Sequence, residues 1–365
     1  MKKVLLISIV AVAMIFSEAL SFVKNSSVKV KAIMPDSLVH FAEEKHLSNI
    51  KQLTFGGDNA EAYFSFDNTQ IVWQKTNPKE GIECDRIYSG NWNDLSSAKL
   101  ISTGTGRTTC SYFLPGNKEI IYASTHLAGK ECPPVPDRKK TGKYLWAIYA
   151  GFDIFIADLT GKIKKQLTFQ RGYDAEATVS PKGDKIVFTS MRSGDLELYT
   201  MNIDGTHVTQ ITNELGYDGG AFFSPDGTKI VFRASRPKTA EEIKEYKELL
   251  AQNLVAPSQL ELFICNADGT EKKQITKLGG ANWAPFFLPS GKKVIFASNH
   301  AYPRGFPFNL YTINTDGTGL EKITHDGIFD AFPMFSFDGK KLIFSSNRNN
   351  GGGHDTNLFI ADWVE

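Results

Sequence analysis

No charge of either sign dominates this sequence: 41 Lys and Arg stand against 40 Asp and Glu, a formal net charge of +1. That balance gives no electrostatic handle for nucleic acid or for an anionic membrane surface. Basic residues gather only locally, as in "DRKK" at 137–140. Cysteine is scarce, with four in 365 residues, too few for a disulfide-built scaffold. Absent too are a G-x-S-x-G elbow, an H-E-x-x-H pair and a phosphate-cradling P-loop. Those absences remove the commonest hydrolase and nucleotide chemistries. The chain starts "MKKVLLISIVAVAMIFSEALSF", with an apolar stretch from Val4 to Phe16 that is too short to span a bilayer. Lys2 and Lys3 precede it, and the small residues Ser17 and Ala19 follow. This pattern predicts an export signal over 1–19, cleaved to leave a near-neutral periplasmic protein with no membrane insertion.

Repetition is what the sequence has in abundance. A turn phrase occurs six times: "FSFDNTQIVW" (64–73), "FLPGNKEIIY" (113–122), "VSPKGDKIVF" (179–188), "FSPDGTKIVF" (223–232), "FLPSGKKVIF" (287–296) and "FSFDGKKLIF" (335–344). In the fourth copy Pro225 presets one backbone angle and Asp226 can bond its own backbone. Gly227 supplies the positive φ that a tight hairpin needs. The apolar run that follows reads as a strand buried on both faces. A second phrase recurs at 52–54, 100–103, 166–168, 210–212, 274–276 and 322–324, as "QLT", "LIST", "QLT", "QIT", "QIT" and "KIT". In four repeats a strand ending in a polar turn precedes it, for example "FICNADG".

One unit is therefore four antiparallel strands, and repeated units of that kind make propeller blades. The last copy ends in its third strand at "NLFIADWVE", and the first "QLT" stands ahead of the first full set. The sequence thus predicts an all-β fold, a six-bladed propeller over 48–365 closed by an N-terminal outer strand, with 20–47 as a lead-in. The long insertions fall between the second and third strands, at 126–150, 236–258, 300–308 and 347–356. Within 236–258, Thr239 and Glu242 form a capping box before Ile243, Tyr246, Leu249 and Leu250, which predicts one inserted helix. Such loops share one face of the ring, where binding residues usually gather.

The segment "RGYDAEATVSPKGDKIVFTSMRSGDLELYTMNIDGTHVTQIT" (171–212) resembles the repeat of TolB-type propellers, and the similarity runs over 50–365. The resemblance implies a six-bladed ring of the bacterial periplasm that binds partner proteins. The family's namesake also carries an α/β domain ahead of its propeller, for which 20–47 offers no counterpart.

Aligning the blade-joining loops sets Asn59, Thr108, Asp174, Asp218, Asn282 and Asp330 at one level of the channel mouth. Two positions on stand Glu61, Cys110, Glu176, Gly220, Ala284 and Phe332. The Asp and Asn side chains can steady their own loops, or the carboxylates can hold a hard cation such as Ca²⁺. Glu61 and Glu176 point towards a channel and need water, an ion or a partner there. Tyr144, Trp146, Tyr246, Trp283, Tyr302 and Phe306 on the loops are candidate contacts. Cys84, Cys110 and Cys132 should lie close enough for one disulfide; with His126 they are also a zinc alternative. His126, His300, His325 and His354 share the face and are weak candidates for a transition metal. The expectation drawn from all this is a cofactor-free, non-enzymatic protein that docks an envelope protein, a peptide or a glycan. The alternative is a metal-assisted lyase or hydrolase acting on polysaccharide or peptide at the same face.

Overall fold

The computed structural model describes residues 39–302, 305, 307–325 and 327–365. The expected export signal (1–19), most of the lead-in, and the candidate contact Phe306 lie outside them. Six four-stranded antiparallel sheets follow one another around a channel. Their inner strands are Asp58–Phe64, Thr108–Phe113, Asp174–Val179, Asp218–Phe223, Asn282–Phe287 and Asp330–Phe335, numbered here as blades one to six. In blades one to five the chain runs outward from inner strand to rim. The sixth sheet takes its outer strand, Leu47–Gln52, from the start of the chain and pairs it with Asn357–Trp363. Leu47 faces Trp363 and Gln52 faces Phe359 in that ladder. The ring is a six-bladed β-propeller closed by an N-terminal strand.

Each recurring phrase has a physical task. The threonine of "QLT" accepts the N–H of the second residue of the third strand. Leu198 N–H to Thr212 Oγ1 is 2.8 Å, Leu262 to Thr276 is 2.7 Å, and Leu358 to Thr54 is 2.9 Å. In blade one, "LIST" uses Ser102 for this, accepting from Ile87 N–H at 3.0 Å. The glutamine closes the loop by donating to the threonine's own carbonyl, as Gln210 does at 2.7 Å. Thr276 also donates to Glu261 at 2.6 Å. Replacing it by the isosteric valine strands a buried N–H and leaves Glu261 Oε2 with only the longer bond from Asn282, at 3.2 Å. Thr276→Val is expected to cost about 1–3 kcal/mol, readable as a lower urea midpoint at unchanged m-value.

The turn phrase interlocks the blades on the opposite face. Its left-handed position is Gly183, Gly227, Gly291 or Gly339 in blades three to six, and Asn68 or Asn117 in blades one and two. At Gly183 a Cβ would stand 2.2 Å from Pro115 Cγ of the preceding blade. The two asparagines instead reach back: Asn117 accepts from Phe66 N–H at 2.8 Å and Asn68 from Phe337 N–H at 2.6 Å. The second strands form the buried core, with Ile186, Val187 and Phe188 fully covered. The outer strands carry lysines such as Lys51, Lys164 and Lys273, which discourage edge-to-edge association.

The inserted helix spans Ala240–Leu250, with the capping box of Thr239 and Glu242 formed. A second, four-residue helix, Arg138–Thr141, was not expected; the "DRKK" run winds up behind Asp137, whose side chain accepts from Lys139 N–H. The insertions of blades two and four also pair with each other, Trp146–Ala147 against Leu254–Val255, outside any blade.

Candidate functional site at the channel mouth

The two aligned columns behave differently. The first is structural in its partners: Asp174, Asp218 and Asp330 are buried and bound to arginines rather than to their own loops. Arg192 donates to both oxygens of Asp174 at 3.0 and 3.1 Å. Arg236 binds Asp218, and Arg348 binds Asp330 at 3.2 Å. Burial pushes the Asp218 carboxyl up to about 6, although Arg236 pulls the other way. These arginines stand seven residues after the start of the second strand, at Lys185, Lys229 and Lys341. That regular offset was readable in the repeat. In blades two and five the same offset gives His126 and His300.

The second column marks a β-bulge. In blade three Ala175 pairs with Thr189 and Thr178 with Val187, so Glu176 and Ala177 share one partner. The same slip occurs in all six inner strands. Its first residue is left-handed each time: φ is 52° at Glu61, 46° at Cys110, 56° at Glu176, 57° at Gly220, 47° at Ala284 and 54° at Phe332. Five of these six are not glycine, so the ring holds backbone strain of about 1–2 kcal/mol at each of them. Bulges of this kind re-aim side chains.

What they aim is a small charged cluster. Glu176 accepts from Tyr217 O–H at 2.6 Å, Thr189 O–H at 2.8 Å, Gly220 N–H at 2.7 Å and Arg233 at 2.7 Å. Arg233 also donates to the Tyr217 hydroxyl at 2.6 Å. Burial works against the Arg233 charge, but Glu176 and Tyr217 outweigh it and hold the guanidinium protonated. Gly220 is needed here, since a Cβ would come within 2.1 Å of Arg233 Nη1. Glu61 senses both Arg233 and Glu176, which belong to blades four and three on the far side of the channel. Burial pushes its carboxyl up to about 7, against a hydrogen bond from Cys110 and the Arg233 charge. Its Oε2 is buried and has no hydrogen-bond partner among the described residues. Beneath this level Tyr63, Tyr112 and Phe222 pack as tilted rings, 5.5 Å and 5.7 Å between centroids from Tyr63, and floor the chamber.

The roof comes from the insertions. The Trp146 ring lies 5.2 Å from the Arg233 guanidinium, edge-on to Tyr217 at 6.3 Å and 5.3 Å from Trp283. Tyr144, almost half exposed, leans on Trp146 and on Trp283, at 6.4 Å and 6.3 Å. Trp283 itself is buried and donates to Pro257 O at 3.0 Å. Tyr302 is exposed on the blade-five loop, with its N–H on Asn299 O. Tyr246, expected as a contact, is instead buried under the helix with its hydroxyl on Asp195.

The family model described as the TolB beta propeller domain matches residues 149–252. Among solved structures, putative TolB from Agrobacterium tumefaciens aligns over 85% of this chain and 91% of its own, with TM-score 0.55 and 18% identity. The chain shares the fold of the TolB propeller. TolB from Acinetobacter baumannii aligns over 85% of this chain at TM-score 0.50 and 18% identity, and the match spans 64% of that protein. Oligogalacturonate lyase from Vibrio parahaemolyticus shares the fold at TM-score 0.50 and 12% identity, over 86% of this chain and 93% of its own. At such identities these likenesses establish the ring and its blade count, while the chemistry rests on the side chains.

In this propeller Cys84 and Cys132 form a disulfide that ties the third strand of blade one to the blade-two insertion. Cys110 remains a thiol. The four-ligand zinc alternative therefore does not hold, because two of its sulfurs are bonded to each other. His126 and His300 each share Nδ1 with the serine two residues earlier, at 2.9 Å, and pack on Phe155 and Tyr311. Burial lowers both imidazoles below their usual range. His325 gives its backbone N–H to Glu44, and His354 offers its carbonyl to Asn347. Among the described residues no three His, Cys, Asp or Glu side chains converge as a metal-ligand set. No described helix is long and apolar enough to cross a membrane.

Two parts of the site escaped the sequence reading. Arg233 is the one charge after Lys229 in the run "KIVFRAS", and that anomaly was its signal. Glu44 lies in the lead-in, outside any repeat, yet it is fully buried on Arg348.

Proposed function

We propose that this TolB-like propeller is an exported, non-enzymatic binding protein that docks an envelope protein, a peptide or a glycan on its loop-rich face. The observation that carries the reading is the roof. Two insertions from non-adjacent blades pair with each other, and one of them lays Trp146 over Arg233 beside Trp283. An aromatic lid above a charged chamber is an arrangement suited to holding a ligand, since rigid rings give contact area at low entropic cost. Residues that only braced the ring would not need to reach across a neighbouring blade. The lyase or hydrolase alternative draws less support, because His126 and His300 are each held by a serine and an aromatic ring within their own blades.

A photo-crosslinking residue at Tyr144, compared with one at Lys182 on the opposite face, tests the docking face in intact cells. A discrete crosslinked species from position 144 and none from 182 is expected. Equal yields from both, or crosslinks only from 182, overturn the reading.

A further inference from the structure

We propose that the chamber beneath Trp146 takes a primary ammonium group, seated on Glu61 and enclosed by aromatic rings. This deepens the docking function above and rests on it.

Charge and open valence at Glu61 point to a cation. The chamber holds two carboxylates and one guanidinium, whose charge is already matched by Glu176 while its Nε has no hydrogen-bond partner among the described residues. Arg233 is bound to Glu176 at 2.7 Å, and Glu176 has three further donors in Tyr217, Thr189 and Gly220. Nearby Asp85 is matched by Arg107. Among the described residues Glu61 is left as a second carboxylate without its own cation, and its Oε2 has no hydrogen-bond donor. A buried carboxylate in that state either takes up a proton or takes up a cation. Empty, it does the former: burial lifts its carboxyl to about 7.

The surroundings select the kind of cation. Calcium wants six or more oxygens and zinc wants several N, S or O ligands. Glu61 offers one free carboxylate oxygen, and its bonded neighbour Cys110 keeps its proton, held well above the usual thiol range by burial and then by Glu61. What stands beside the group instead is ring surface: Tyr63, which feels the Glu61 charge, packs on Tyr112 at 5.5 Å, and Trp146 covers the Arg233 guanidinium whose charge Glu61 senses. Aromatic faces and a single carboxylate suit an ammonium head on an alkyl stem. A lysine side chain or a chain's terminal amine supplies the same group.

The protein side of the binding step is a proton exchange. The ammonium seats on Glu61 in its ionised form, and the proton that the empty carboxyl held passes to solvent. The groups facing Glu61 are Cys110, Tyr63, Glu176, Arg233 and Asp85. The tyrosine hydroxyl and the thiol are both held protonated well above neutrality by burial, and the remaining three are paired ions. Glu61 is therefore the group that gives up the proton.

Calorimetric titration of the full chain with n-butylammonium, Nα-acetyl-lysine amide and alanine amide tests this, with n-butanol and butyrate as isosteric controls. Binding of an ammonium probe is expected with release of close to one proton at pH 6, and about tenfold tighter at pH 8 than at pH 6. Glu61→Gln is expected to weaken it at least tenfold while keeping a cooperative thermal transition. Whichever of the two amides binds identifies a side-chain or a terminal ammonium. Equal binding by the Gln variant, equal binding of butanol, or Glu61-dependent binding of Ca²⁺ in place of the amines overturns the assignment. Crosslinks at position 144 alongside any of those results leave the docking function standing and remove only the ammonium; loss of the crosslinks removes the function itself.

Discussion

Replacing Arg348 by methionine is expected to destabilise the ring by about 3–5 kcal/mol, the range for stranding one side of a buried ion pair. Arg348 is 2% exposed and spans two carboxylates from opposite ends of the chain. Its guanidinium donates to Glu44 at 2.9 and 3.1 Å, to both oxygens of Asp330 at 3.2 Å, and to Val39 O at 2.7 Å. It also lies 5.0 Å from the Phe344 ring. Methionine keeps the packing on that ring and removes the charge, so Glu44 and Asp330 are left facing each other in a dry site. Urea unfolding should show the loss as a lower midpoint, and residues 39–46 should become sensitive to protease before the blades do. The double variant Arg348→Met, Glu44→Met should recover part of it, because a buried ion pair exchanged for apolar side chains is often close to neutral. A loss under 1 kcal/mol in the single variant would remove this network from the forces that hold the lead-in to blade six.

The same comparison shows why an arginine in the neighbouring layer matters in another way. Glu176 would keep Tyr217, Thr189 and Gly220 as donors without Arg233. Among the described residues Glu44 would keep the backbone N–H groups of His325 and Phe41, the latter at 3.3 Å. Removal of Arg348 is thus the costlier of the two for folding, whereas Arg233 bears on the chamber, through its contact with Trp146 and its field at Glu61.

Blade number, strand order and closure were legible because each depends on periodic local chemistry. Gly227 at φ 70° and Thr212 on Leu198 N–H are demands that the backbone makes of single positions, and they recur at every repeat. The insertions were legible as interruptions of that period. The bulge was not, for it leaves no glycine signature: Glu61, Cys110, Ala284 and Phe332 occupy the same left-handed position with unrelated side chains. Their strain is sustained by the ring around them, and local sequence carries no record of it. The pairing of the two insertions was equally hidden. Trp146–Ala147 and Leu254–Val255 are two residues each, too short to show a period, and they lie far apart in the chain. The Asp174, Asp218 and Asp330 column was visible, but its arginine partners come from two residues beyond the end of the next strand, so the carboxylates looked open when they are engaged.

Glu61→Gln should make the protein more stable, and more so the higher the pH. Glu61 has an ordinary carboxyl value of 4.5 and is pushed up to about 7 in the folded ring by burial. Between those values the folded state binds more protons than the unfolded one, so stability is full below 4.5 and falls as pH rises through 7. Above that point the folded ring carries a buried, unmatched carboxylate whose cost levels off at about 3 kcal/mol. Glutamine keeps the shape and can still accept from Cys110, but it never ionises. The two proteins should unfold alike near pH 4.5 and diverge steadily to about 2–3 kcal/mol at pH 8. Asp218 and Glu197, pushed up by burial to about 6 and about 8, titrate in both proteins and cancel from the difference. Chemical denaturation across that range measures it directly. Parallel curves would mean that Glu61 keeps its ordinary carboxylate value in the folded ring, with solvent reaching an oxygen that the fold buries.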